Sequence, residues 1–287
     1  MMTEEIKNQI NQRKSCKYCN SNNVVKFGTY KGNQRYWCKA CQRKFKADDS
    51  LFHSRVSPNN ISSALIMYYC NKSIDNIRDY LRKEHDYYPS KSVVFQWISK
   101  YTRLANIILA GYKPRVGDDW IMLESPYPDK QGRGIRLIDI FDSSTHYLLA
   151  TFVSLDGTDD DARITLKQAI KTARKAPKIV ISSTAAANPA KCKVFFSSSD
   201  DPENSLVFRN ACIDQLGLFY RIIKERELLL QDLKKLDSIV NTTRRFMIHY
   251  NYFKSYNTLN GKTPAQASGI TYPYKSWADL IRQPVAP

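Results

Sequence analysis

Two Cys-x-x-Cys pairs constrain this chain more than any other feature. Cys16 and Cys19 form one pair, Cys38 and Cys41 the other, and eighteen residues separate them. A tetrahedral zinc ion takes four thiolates at about 2.3 Å, and each Cys-x-x-Cys turn supplies two corners. The intervening VVKFGTYKGNQRYW reads as a hairpin: Val24, Val25 and Phe27, a turn at Lys31-Gly32-Asn33, then Tyr36 and Trp37. The expectation is a zinc ribbon over residues 14–47 holding one structural ion. With four protein ligands the site is closed, so it carries no chemistry. A redox pair is the alternative, and two pairs around a hairpin fit it poorly.

The ribbon is basic. Lys26, Lys31, Arg35, Arg43 and Lys44 are its candidate phosphate contacts, and a merely solvated face is the competing reading. The whole chain has a formal net charge of +17, and residues 1–105 hold nineteen Lys and Arg against eight acids. Such an excess calls for a polyanion, and double-stranded DNA is the expected partner. Nothing in the composition asks for a small-molecule substrate. No run of eighteen apolar residues appears, which leaves no candidate for a membrane-spanning helix. The opening MMTEEIKNQINQ lacks the basic-then-apolar pattern of a secretory signal. The reading is therefore a cytoplasmic, nucleoid-associated protein. Cys70, Cys192 and Cys212 read as buried thiols.

Residues 58–104 read as helices. Pro58 opens the first and Ser73 caps the second, with Ile74, Ile77 and Leu81 at helical spacing. HDYYPS interrupts, and Ser90 caps a third helix whose buried side is Val94, Trp97, Ile98 and Tyr101. The last two suit a helix-turn-helix. On the outward side lie Lys91, Ser92, Phe95, Gln96 and Lys100. Ser92 and Gln96 are the candidate base readers, and Lys91 and Lys100 the candidate phosphate partners. Helix packing without DNA contact is the alternative.

After a linker at 110–117 the pattern changes. DDWIMLE, GIRLIDIFD and HYLLATFVSL predict three antiparallel strands, and DDARITLKQAIKTARK a helix ended by Pro177. KIVISS predicts a fourth strand and KCKVFF a fifth. From the polar loop SSSDDPEN to about residue 255 the pattern reads as helical throughout. The class is α/β with a mixed sheet over residues 118–255, followed by a tail at 256–287. Within the tail, GKTPAQASG predicts a small helix opened by proline, and SWADLIRQ suggests another.

Three stretches carry a family resemblance: CKYCNSNNVVKFGTYKGNQRYWCKACQRKF, the helical segment from YYCNKSIDNIRDYL to FQWISKY, and RRFMIHYNYFKSYNTLNGKTPAQASGI. In that order they resemble insertion-sequence transposases with an N-terminal zinc ribbon, a helix-turn-helix and an RNase H-like domain. The resemblance implies an RNase H-like sheet and two-metal phosphoryl transfer by two aspartates and a glutamate. It also implies a homodimer, because relatives assemble on paired element ends.

The resemblance breaks at the carboxylates. Aligned on a W-I-x-D-E-T pattern, the first aspartate position holds Leu123, with Glu124 matching the neighbouring glutamate. Aligned on the end of the fourth strand, the second holds Ser183. Aligned on the opening of the long helix, the glutamate position holds Phe208. Leu123 and Phe208 cannot ligate magnesium, and a neutral serine is a poor ligand for it. The reading is a non-catalytic DNA-binding protein derived from a transposase, a transcriptional regulator or chromatin-associated protein, with no magnesium bound. Two alternatives stand: an active transposase or nuclease using displaced carboxylates, and a decayed element copy. The displaced candidates are Asp139, Asp142, Asp156, Asp200, Asp201 and Glu203, each with a surface or capping acid as the competing reading. His249 reads as packed among its aromatic neighbours rather than as a ligand.

Overall fold

The computed structural model describes residues 21, 23–30, 33–40, 42–46, 56–127, 132, 134–155, 159–182, 207–210, 213–231 and 233–282. The chain divides into two compact units, residues 1–55 with 282–287 and residues 56–281.

The described part of the first unit is a three-stranded antiparallel sheet: β1 (Val24–Tyr30), β2 (Asn33–Cys38) and β3 (Lys44–Lys46), in that order. Alternation of bulky and polar residues lets the hairpin cover one side of itself. Asn33 pairs with Tyr30, so it belongs to the strand rather than to the expected turn. The register slips between Lys26 and Thr29, where Gly28 takes a positive φ of 65°. A side chain there would be strained, which is why a bulge recruits glycine.

The second unit opens with three helices: α1 (Pro58–Tyr69), α2 (Ile74–His85) and α3 (Lys91–Leu109). Each begins as its sequence dictates. The Ser57 hydroxyl accepts from the Asn59 N–H, that of Ser73 from Asn76, and that of Ser90 from Val93. Asp86 ends α2 in the left-handed conformation. Ile77, Leu81, Val94, Trp97, Ile98 and Tyr101 are buried. Arg78 Nε donates to the Pro89 carbonyl at 2.7 Å and braces the connection between α2 and α3.

The five-stranded sheet follows. It comprises β4 (Asp119–Pro126), β5 (Arg136–Asp142), β6 (Leu148–Ser154), β7 (Ile179–Ser182) and β8 (Val207–Asn210). The spatial order is β6-β5-β4-β7-β8. β4, β5 and β6 are antiparallel neighbours, while β7 and β8 run parallel to β4 and to each other. This is an α/β architecture with a mixed sheet. α4 (Asp159–Ala173) connects β6 to β7. α5 (Ile213–Leu230) and α6 (Leu236–Phe253) follow β8.

Residues Leu137–Asp142 of β5 are all buried, as a strand covered on both faces requires. α5 lies along one face. Phe219 meets Phe141 at 5.0 Å between ring centroids, Arg226 reaches Asp139, and Leu230 clusters with Leu137. Alternate residues of β5 thus meet helix positions spaced seven and four apart.

Val207–Asn210 falls in the stretch expected to be helical, yet it forms β8, an edge strand among the described residues. Four residues are too few to display a period, and the helical patterns that follow dominate the window. KCKVFF lies outside the described residues.

The C-terminal stretch is folded. α7 (Pro264–Ala267) opens with a Thr263–Gln266 capping box, and α8 (Trp277–Arg282) inserts Trp277 into an aromatic stack. Trp277 lies 4.0 Å from Phe253 between centroids and donates its indole N–H to His249 Nδ1 at 3.2 Å. His249 stacks on Tyr69 at 4.5 Å, as its aromatic surroundings suggested. Cys70, expected to be buried, is exposed at the C-cap of α1. Cys192 and Cys212 lie outside the described residues.

Candidate nucleic-acid interface and candidate carboxylate site

In the small sheet, Lys26, Arg43 and Lys44 are exposed, and Arg35 is half-buried. Phe27 gathers two of them: Lys44 Nζ lies 3.9 Å from its ring centroid and the Arg35 guanidinium carbon 5.6 Å. Lys31 lies outside the described residues. Of the four zinc-ligand candidates only Cys38 is described, and Cys16, Cys19 and Cys41 are not. Cys38 is fully buried at the end of β2. Its N–H donates to the Arg43 carbonyl at 3.0 Å, and Gln42 takes a positive φ of 56°. This bond brings the backbone at Arg43 back to the end of β2.

On α3 the N-terminal outward face carries Lys91, Ser92, Phe95 and Gln96, all exposed. Lys91 is not isolated. Its Nζ sits 2.7 Å from Asp75 Oδ2, and Asp75 also pairs with Arg78 at 3.1 Å. The hydrogen bond from Lys91, then that from Arg78, holds the Asp75 carboxyl below its ordinary pKa. The Lys91 pair is exposed, so a phosphate could replace its carboxylate at little cost. The Ser92 hydroxyl lies 2.9 Å from that of the capping Ser90. Lys100 departs from the expectation: it is half-buried, with Nζ 4.9 Å from the ring centroid of Tyr101.

The carboxylate face holds a different arrangement. Leu123 is fully buried on β4 and stands opposite Asp139 on β5, which stands opposite Thr151 on β6. Directly opposed residues share a face, and this is the face that α5 covers. Arg226 of α5, 1% exposed, clamps Asp139, 0% exposed. Its two terminal nitrogens donate to the two carboxylate oxygens at 2.5 and 2.6 Å, and one also donates to the Thr151 hydroxyl at 3.2 Å. This bidentate geometry is the strongest form of the pair. Its cost is also visible, since the buried Arg226 Nε has no hydrogen-bond partner among the described residues. Sequence reading missed Arg226. Its signal was a lone charge at position 226 on a helical stripe otherwise made of Phe219, Ile222, Ile223 and Leu230.

The other candidate acids divide. Asp142 is buried and accepts four hydrogen bonds, from the Gly117 N–H, the Ser144 hydroxyl, and the N–H and hydroxyl of Thr145. It ties the turn after β5 to the start of β4. Glu124 lies on the other face of β4 and pairs with Arg136 at 2.5 Å. Asp156, Asp200, Asp201, Glu203 and Ser183 lie outside the described residues.

Phe208 requires a correction. It sits on β8 with its backbone opposite Val180, whereas the long helix begins at Ile213. The motif alignment that put a helix-opening glutamate at 208 therefore falls on a strand. Hydrophobic Val207-Phe208 mimicked a helix start in one dimension, and the sheet claims it in three.

No protein-family model matches the chain, and no curated protein does. Among solved structures, a chain in the cryo-electron-microscopy structure of a simian T-cell lymphotropic virus intasome in complex with PP2A regulatory subunit B56 gamma is similar. It shares 11% identity, with a TM-score of 0.38, over 79% of this chain and 74% of that chain. That score is too low to show a shared fold.

Proposed function

We propose that this chain is a DNA-binding protein derived from a transposase-like ancestor, kept for binding and without strand-cutting activity. In this reading residues 14–47 are a zinc ribbon, α2 and α3 a helix-turn-helix, and the five-stranded sheet an RNase H-like domain. The observation that carries it is the set Leu123, Asp139 and Arg226. A two-metal site needs several carboxylates turned toward shared cations. Here a leucine occupies the first position, and the carboxylate opposite it is already neutralised by a buried guanidinium. Asp142 is likewise engaged by four donors.

Binding is supported by the net charge of +17 and by the exposed N-terminal face of α3. Lys91 would contact phosphate, and Ser92 and Gln96 base edges. Lys26, Arg35, Arg43 and Lys44 would extend the contact along the backbone. Cys16, Cys19, Cys38 and Cys41 would hold one zinc, which supplies folding energy to the small unit. The wider role is gene regulation or chromatin association by a homodimer on duplex DNA, at the nucleoid.

The test is direct. The purified chain is incubated with supercoiled and linear duplex in magnesium and then in manganese. The expected result is salt-sensitive binding without nicking or joining. Nicking that disappears when Asp200, Asp201 and Glu203 are replaced by alanine would establish the displaced-carboxylate alternative instead.

A further inference from the structure

The polar outward face of α3 does not stop at its N-terminal turn. At 3.6 residues per turn, Ser92, Gln96, Ser99, Arg103 and Asn106 fall within an arc of about 80°. The stripe is roughly 21 Å long at 1.5 Å per residue. Four of these five residues are exposed, and Ser99 is half-buried. The far end of the stripe enters a cavity of about 410 Å³ between α3, α4, α6 and the edge strand β6. Its lining includes Arg103 from α3 and Arg244 and Arg245 from α6. A neighbouring cavity of about 280 Å³ shares Asn106, Leu149 and Thr172 with it and adds Lys113 and Lys171. Together they form one groove which, among the described residues, is lined by five cations and no carboxylate.

The groove is built rather than incidental. Leu149 and Ala150 of β6 form an apolar floor. Arg245 is half-buried and held by a hydrogen bond to the Ser99 hydroxyl at 3.0 Å. Arg103, Arg244, Lys113 and Lys171 are exposed on the rim. Guanidinium forks above an apolar floor suit phosphodiester oxygens, which they grip in pairs while sugars rest below.

We infer that this groove seats the phosphate backbone of the same DNA duplex whose bases meet the N-terminal end of α3. The inference rests on the proposed DNA-binding reading and extends it to a second contact, on the α/β part of the chain. About 3.4 Å of strand per base pair makes the 21 Å stripe roughly six base pairs long. One helix can therefore read bases at its start and guide backbone toward the groove at its end. An acidic peptide would match the charge equally well. Continuity with the exposed face of α3 favours nucleic acid.

The experiment compares three full-length proteins on a duplex of about three helical turns (roughly 30 base pairs) over a salt series. They are the unaltered chain, the double variant Arg103→Gln/Arg244→Gln, and the charge-matched control Lys262→Gln/Lys275→Gln. The control removes two exposed lysines that do not line the groove. Each phosphate contact contributes about 0.9 to the slope of log affinity against log salt. Loss of two contacts should make the groove variant's slope shallower by about 1.8, with the control near the unaltered chain. Equal slopes in all three overturn the groove and leave DNA binding by α3 standing. An equal loss in the control also overturns it, because net charge then explains the effect. If the unaltered chain binds no duplex, both readings fall. If polyglutamate is bound and released by the groove variant while DNA is unaffected, the groove takes an acidic peptide and the inference fails. Circular dichroism checks that both variants remain folded, as substitutions at exposed positions should.

Discussion

A carboxylate in a protein core must be neutralised by a partner, and Asp139 shows how. Arg226 supplies the charge, and neither side chain is more than 1% exposed. Removing one partner of such a pair leaves an uncompensated buried charge, at a cost of about 3–5 kcal/mol. Arg226→Met should therefore lower stability in urea by roughly that amount. The double variant Asp139→Leu/Arg226→Met should recover most of the loss, because an apolar pair replaces the ionic one without desolvated charge. A double variant no more stable than Arg226→Met would show that the pair is not the source of the loss. The same residue scale yields a pH dependence. Burial, and then the nearby Lys254 charge, push the His249 pKa down to about 3. An unfolded histidine titrates at about 6.5. Between those values the unfolded chain binds the extra proton, so the His249 contribution is whole above about pH 6.5 and is lost as pH falls toward about 3. His249→Gln should flatten the stability profile across that window by at most about 5 kcal/mol, of which about 3 kcal/mol falls between pH 7 and pH 4. Paired urea titrations at pH 7 and pH 4 measure the difference. Equal slopes in the two proteins would place the acid sensitivity elsewhere.

At the scale of elements, α3 carries the sharpest binding prediction. Lys91 sits at its first turn and faces solvent through an exposed ion pair. Replacing Lys91 with alanine should weaken binding to all duplex sequences about equally and reduce the salt slope by roughly one contact. Replacing Gln96 with alanine should instead change preference at one base pair, by about 1–3 kcal/mol if the contact is bidentate. Site selection from a random library separates the two: an unchanged preference in the Gln96 variant would remove it as a reader. The helices were legible because each carries its own punctuation. Pro58 opens the first, Ser73 and Ser90 cap the next two, and Ile77, Leu81, Val94 and Trp97 repeat at helical spacing. β4 to β6 were legible as apolar runs bounded by turn residues. β8 was not, because four residues show no period and its partner β7 precedes it by more than twenty positions in the chain. That non-local pairing decided the fate of Phe208. The buried position of Asp139 was not legible: the acid in LIDIF reads as a displaced ligand or as a surface or capping group, and only the sheet and α5 reveal its partner Arg226.

For the whole molecule, the charge of +17 and the division into two compact units bear on one experiment. A unit built on a small sheet cannot bury enough apolar surface to hold itself, and a metal is the usual remedy. The larger unit has its own core: Trp120, Tyr101, Phe141, Phe246 and Trp277 are nearly or wholly sealed from solvent. The two should therefore respond differently to loss of the zinc proposed for Cys16, Cys19, Cys38 and Cys41. Metal binding to such a site is coupled to folding, so losing a ligand or the ion unfolds the part that depends on it. Elemental analysis of protein purified without chelator should find one zinc per chain, and Cys38→Ser should lower that content. Limited proteolysis with mass spectrometry then reads the consequence. In Cys38→Ser, or after chelation, cleavage should concentrate within residues 1–55, while residues 56–281 stay as resistant as in the unaltered chain. Duplex affinity should fall in the same variant by the share that the ribbon contributes, without disappearing, because α3 and its capping serine are untouched. Zinc-free wild-type protein would sink the ribbon assignment outright. Equal loss of protection across both segments would mean that the metal, wherever it sits, holds more of the molecule together than the small sheet.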